Sequence, residues 1–196
     1  MWDDDSNAVS PFAHRPPMPT HVPIRVVPVT PTLAAGVRAI ELGREQSMFV
    51  GDVAFNLDDA LRDDASEAMA VIAGDRPIGF YRLDFAPRAV LGRALGMPHV
   101  GLRAFCIDHR LQGIGLGHAA VSAMIRDVPR RHAERRLMVL AVHCRNRAAI
   151  ATYRRAGFVA TGEWQPGGRA GPQQLMWLAL DAARPSSQTP PQEPAQ

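Results

Sequence analysis

The segment Gln112-Gly113-Ile114-Gly115-Leu116-Gly117-His118 alternates three glycines between an apolar run ending at Ile107 and a helical pattern over 115–128. Glycine lacks a Cβ, so its backbone can turn tightly and bring N–H groups close to an anion. A helix starting there adds unpaired N–H donors and a partial positive charge. That chemistry suits a pyrophosphate. A ligand-free turn would use the same residues. Gly115-x-Gly117-x-x-Ala120 also fits the loose dinucleotide fingerprint. The fingerprint calls for an acidic residue about 20 positions on, at the end of the next strand. Here that strand ends Ala141-Val142-His143, with no carboxylate.

A second constellation follows at Asn146-Arg147-Ala148-Ala149-Ile150-Ala151-Thr152-Tyr153-Arg154-Arg155-Ala156-Gly157-Phe158. Asn146 reads as a helix cap. Tyr153 lies two turns on, on the face of Asn146 and Ile150. A packed core tyrosine with a satisfied hydroxyl is the plain reading of Tyr153, and a proton donor the chemical one.

Together the two segments resemble the GNAT superfamily of N-acetyltransferases. Gln112 to Gly117 matches its Q/R-x-x-G-x-G/A signature, and Asn146 to Phe158 its N-x-x-A-x-x-x-Y-x-x-x-G-F segment. The resemblance covers residues 24–182. It implies a single α/β domain with a mixed central β-sheet flanked by helices. It implies acetyl-CoA as acetyl donor, held where strands Val100–Ile107 and Leu137–Val142 splay apart. The backbone of Phe105 and Ile107 would pair with the pantetheine arm, and the Ile107 N–H would polarise the thioester carbonyl. Gln112, Gly113, Ile114, Gly115, Leu116, Gly117 and His118 would hold the phosphates, and Asn146 would contact the arm. Tyr153 would protonate the departing thiolate. A phenol of pKa ~10 against a thiol of ~8.5 is protonated at neutral pH. The expected catalytic pair is Tyr153 and Ile107. The competing reading is a catalytically silent acyl-CoA-binding module of the same fold, and Tyr153 speaks against it.

A general base has no clear signature. The two splayed strands contain no carboxylate. His143 could titrate near neutrality, and Glu41, Asp84 and Glu163 are further candidates; a water chain would leave no trace. Glu45-Gln46-x-x-Phe49-Val50 and Thr161-Gly162-Glu163 resemble the bacterial polyamine acetyltransferase branch. A polycation calls for an acidic groove, whereas Arg169, Gln173 and Gln174 stand before the last strand. The acceptor is expected to be a small-molecule or peptide amine. Arg126, Arg130, Arg131, Arg135 and Arg136 read as a solvated face.

The elements that must position these residues follow from periodicity. Strand Ile24–Val29 precedes a helix with Leu33, Val37 and Ile40 on one face. Asn56 is expected to cap a short second helix carrying Leu57, Ala60 and Leu61. Met69–Ala73 and Ile78–Phe85 flank a Gly74-Asp75-Arg76-Pro77 turn. The helix after the glycine loop is expected to stop at Pro129. The last helix is expected to end on a left-handed Gly157, before strands 158–164 and 175–180. The expected order is β-α-α-β-β-β-α-β-α-β-β.

Composition excludes several alternatives. All 22 basic residues are arginine, so there is no lysine for a Schiff base or a GK[ST] phosphate loop. A net charge of +3 is too small to imply nucleic acid. Cys106 and Cys144 fit no metal spacing, and no metal is expected. No apolar run or signal-like start points to a membrane or to export, so a cytoplasmic protein is expected. A homodimer stays open. Residues 1–23 and 183–196, rich in Pro, Gln and Ser, read as disordered tails around the domain at 24–182.

Overall fold

The computed structural model describes residues 23–90, 92–166 and 171–180. The two expected tails fall almost wholly outside them, as does Arg169. The described elements are β1 (Ile24–Pro28), α1 (Pro31–Arg38), α2 (Arg44–Val50), α3 (Val53–Arg62), β2 (Ser66–Ala73), β3 (Arg76–Asp84), β4 (His99–Ile107), α4 (Leu116–Arg131), β5 (Leu137–His143), α5 (Arg147–Arg155), β6 (Val159–Gln165) and β7 (Gln173–Ala179). One sheet runs β1-β2-β3-β4-β5-β7-β6, with β4 and β5 its parallel pair. The fold is the expected mixed sheet between helices.

Two cores sandwich the sheet. Ala34, Val37, Val53 and Leu57 of α1 and α3 pack on Ala70, Ile72, Phe80 and Cys106. Ala120, Val121, Met124 and Tyr153 of α4 and α5 pack on Met69, Leu102, Ile107 and Leu140 on the other face. Removing this apolar surface from water, at roughly 25 cal/mol per Å², is the main force holding the layers together.

Three local expectations need correction. The region between β1 and β2 holds three helices, because α2 forms between Gly43 and Gly51. Asp52, not Asn56, caps α3: its carboxylate accepts the Phe55 N–H at 2.7 Å. Asn56 sits inside the helix and donates its side-chain amide to the carbonyls of Val50 and Asp52, and Leu61 is exposed. Pro129 does not stop α4, which continues to Arg131. A proline this close to the C-terminus forfeits little of the helical hydrogen bonding, and Val128 and Pro129 are buried. Arg131 also anchors the end, on Asp127 and Glu67, both at 2.7 Å. Gly157 does end the last helix, at φ 99°.

Candidate active site

β4 and β5 pair only through His99–Leu137, Val100–Met138 and Gly101–Val139. Beyond Gly101 no described strand lies along that edge of β4. A bulge opens the gap. Ala104 adopts φ 51°, and the register of β4 on β3 shifts between Phe80 and Arg82. One extra residue resets the alternation of the strand. Val100 and Leu102 face the α4 and α5 core before the bulge, as do Phe105 and Ile107 after it, while Ala104 and Cys106 face the other.

The hydrogen-bond pattern fixes where the end of β4 points. The Asp108 N–H donates to the Ile78 carbonyl at 2.9 Å, so Asp108 and Ile78 oppose each other as a hydrogen-bonded pair. Antiparallel pairs alternate. The neighbouring pair, Ile107 with Gly79, is therefore the non-bonded kind, and the Ile107 N–H and C=O turn away from β3 into the gap. The carbonyl is taken by the side-chain amides of Gln112 at 2.8 Å and Gln46 at 3.1 Å. Gln112 also donates to the Gln46 side chain at 2.7 Å. Its side chain thus pins the end of β4, a use that the glycine-loop signature did not suggest.

After β4 the chain turns through His109–Leu111. Asp108 holds the turn by accepting from the Arg110 N–H and guanidinium and from the Glu41 N–H. Burial opposes its ionisation, but those hydrogen bonds and the Arg110 charge keep its carboxyl below the usual range. Gly113 and Gly115 then take φ 80° and 88°. A side chain at either would meet nothing within 4 Å, so the space over the loop is open. Gly115 precedes α4, whose first N–H groups have no helical acceptor. His118 Nδ1 is buried nearby without a partner.

α5 faces this loop across the gap. The Asn146 side chain accepts from the Ala149 N–H at 3.2 Å, so its capping role is real. Tyr153 is 7% exposed. Its ring lies 6.3 Å from Phe105 and 5.5 Å from Phe158. Its hydroxyl meets no hydrogen-bond partner among the described residues, nor is it one of the fully enclosed unpartnered atoms. The hydroxyl therefore opens onto a cavity. Burial, with a smaller push from Cys106, raises its pKa well above the ordinary tyrosine range.

Two cavities meet here. An inner one of about 340 Å³ is lined by Tyr153, Arg103, His143, Gln165 and Asn56, among others. A second, of about 470 Å³, is lined by Ile107, Gln112, Gly115, His118, Thr152 and Arg155. They share Phe49, Val50, Phe105, Asn146 and Ala149. Phe49, on the short α2, stacks on His143 at 4.9 Å and so bridges the two.

A family model described as Acetyltransferase (GNAT) family matches residues 38–158. The chain belongs to that family. It is an acetyl-CoA-dependent N-acetyltransferase. Solved structures share its fold. A spermidine N-acetyltransferase from Vibrio cholerae, in complex with CoA and spermine, superposes with TM-score 0.61 at 14% identity, over 82% of this chain and 97% of that one. The aminoglycoside acetyltransferase AAC(6')-Ib with acetyl-CoA gives 0.64 at 18%, over 84% and 99%. A Salmonella typhimurium acetyltransferase that modifies the N-terminal serine of a 50S ribosomal subunit protein gives 0.61 at 12%, over 84% and 99%. Curated protein sequences yield no match.

The acetyltransferase fits its donor. The open glycine loop leads into the first N–H groups of α4, and the gap beside β4 leaves the Ile107 N–H without a neighbouring strand among the described residues. Arg155 and Thr152, which border the loop cavity, were missed in the sequence because nothing local marks them. Arg131 and Arg135 of the basic cluster lie at the far end of α4, roughly 20 Å from the loop. There Arg131 holds Asp127 and Glu67, and Arg135 holds the His99 carbonyl. Neither borders either cavity. Among the described residues no cluster of His, Cys, Asp or Glu could hold a metal, and no helix is long and apolar enough to cross a membrane.

The candidate bases fare differently. Glu41 pairs with Arg110, Glu163 with Arg93, and Asp84 is buried against Arg103. None of the three lines either cavity. His143 does line the inner one, but its Nδ1 accepts the Arg145 N–H at 3.0 Å. That hydrogen bond occupies Nδ1, so this nitrogen is not open to take a proton from an amine in the cavity.

Proposed function

We propose that the enzyme transfers the acetyl group directly from acetyl-CoA, bound along β4 and the loop 112–118, to a primary amine in the inner cavity. The unpartnered Tyr153 hydroxyl in the wall of the inner cavity, beside Phe105 and Ala149 that both cavities share, carries this reading. Tyr153 serves as the acid that meets the departing sulfur, and the Ile107 N–H as the donor facing the thioester carbonyl. The backbone of Phe105 and Ile107 takes the arm. Gly113, Ile114, Gly115, Leu116, Gly117 and His118 take the phosphates, and Asn146 combines its cap with a contact to the arm. Gln112 acts through Ile107. A silent binding module would have no use for a buried phenol left without a hydrogen-bond partner in a cavity wall. Use of acetyl-CoA supports a cytoplasmic setting.

The inner cavity has no carboxylate among its described lining residues. The amine therefore sheds its proton to water, and only its free-base form reacts. Tyr153, with its pKa raised, stays protonated as pH climbs, so it adds no falling limb below the ordinary tyrosine range near ~10. We expect kcat/KM to rise with pH and level off at the pKa of the amine. Two amines of different pKa should shift the inflection by the difference between them. An inflection that stays fixed would reveal an enzymic base.

A route through an acetyl-cysteine is opposed by the thiols. Cys106 is 1% exposed, and burial pushes its pKa up to about 12. It is a thiol, not a thiolate nucleophile, at neutral pH. Cys144 lines neither cavity. Initial rates against both substrates should give intersecting lines, and Cys106→Ala and Cys144→Ala should retain activity. Parallel lines or a trapped acetyl-cysteine would sink direct transfer.

A further inference from the structure

The inner cavity has a charge pattern that acetyl transfer does not itself require. Arg103 is the one formally charged side chain among its described lining residues. Around it stand His143 and the amides of Asn56, Gln165 and Gln173, none of them charged like a carboxylate, and the Asn56 and Gln165 amides already donate to backbone carbonyls. The carboxylate beneath Arg103 is already engaged. Asp84, 3% exposed, accepts one Arg103 nitrogen at 3.1 Å, lies 3.7 Å from Arg82, and accepts the Ala86 N–H at 3.2 Å. That contact orients the guanidinium and occupies one nitrogen of five donors' worth of fork. The Arg103 side chain remains 49% exposed.

A polycation placed here would meet a like charge with no acidic counterpart in the cavity. A carboxylate would meet a planar fork suited to bidentate binding. The cavity itself sets the size of the ligand. Arg103 and Tyr153 both line the same space of about 340 Å³, so an anion on Arg103 and a nitrogen at Tyr153 belong to one small molecule.

We propose that the acceptor is a small amino carboxylate, an amino acid or its close equivalent, and that Arg103 recognises its carboxylate. This rests on the reading of the inner cavity as the acceptor site of the acetyltransferase. It departs from the spermine and aminoglycosides bound by structural neighbours.

Amino acids and their amides form matched pairs differing in the one group at issue. Thiol release from acetyl-CoA should be measured on such pairs at equal free-amine concentration, with spermidine and an aminoglycoside alongside, and acetyl-CoA binding by calorimetry. Wild-type enzyme should prefer the acid of at least one pair by about 10- to 100-fold in kcat/KM. Arg103→Gln should abolish that preference through KM for the acid, leaving the rate on the amide and acetyl-CoA affinity unchanged, and Arg103→Lys should restore part of it. Equal rates within every wild-type pair overturn the proposal, as do acetylation confined to spermidine or the aminoglycoside and acetyl-CoA binding with no amine acetylated. An Arg103→Gln variant that slows acid and amide alike also overturns it, since that is the mark of a structural role. A folded protein that does not bind acetyl-CoA overturns the underlying reading as well.

Discussion

Tyr153→Phe is expected to lower kcat by about 10²-fold or more, the usual effect of losing a positioned acid. That is about 2.7 kcal/mol on the barrier. The affinity for acetyl-CoA should barely change, because the ring and its contacts with Phe105 and Phe158 remain. Thermal stability separates this reading from that of a packing residue. The hydroxyl has no partner among the described residues, so its removal breaks no hydrogen bond and sheds a poorly solvated polar group. The variant should melt at or slightly above the wild-type temperature. Wild-type turnover in Tyr153→Phe would reduce the residue to core packing.

Gly115→Glu should weaken acetyl-CoA binding by at least about 10²-fold. Two effects combine. A carboxylate would enter the open space that we propose for the phosphates, and like charges at short range repel. The hydrogen bonds from the loop N–H groups to the phosphates, each worth roughly 1.5–3 kcal/mol for a charged acceptor, are lost with them. The φ of 88° also costs any other residue roughly 1–2 kcal/mol. For a chain of this size that lowers the melting temperature by only about 2–8 °C. Gly115→Ala carries the same strain without the charge, so it should lose similar stability and far less affinity. Calorimetry and thermal melts on both variants check this. Unchanged affinity in a folded Gly115→Glu protein would remove the loop from the cofactor site.

Much of this site was legible in the sequence because its signals are local. Left-handed glycines, the Asn146 cap and the two-turn step to Tyr153 depend on near neighbours, and the structure has them where the pattern puts them. The parts that escaped depend on long-range contact. Ala104 bears no glycine to mark the bulge, and its conformation is set by the register of β4 on β3. The seven residues of α2 bury none of their own side chains, so no apolar periodicity announces them. Gln46 and Phe49 acquire a role only once α2 lies across the end of β4. Asp52 and Asn56 are equally plausible caps by type, and the structure alone says which carboxamide or carboxylate reaches an orphan N–H. Arg103 reads as an ordinary strand arginine until Asp84 is seen beneath it.

The splay between β4 and β5 has a consequence for how the molecule breathes. A sheet ordinarily protects its middle strands best and frays at its edges. Here the inward amides of β4 beyond Gly101, Ile107 among them, have no neighbouring strand in the centre of the sheet. Without ligand they should exchange with deuterium far faster than the fully paired β2 and β3 beside them. An extended donor lying in the gap would serve as the absent strand and slow them selectively. At a hundred times its dissociation constant it would add about 2.7 kcal/mol to the stability of the whole domain. The molecule would then be least protected at its centre when empty, and would gain its last interior strand from the substrate itself.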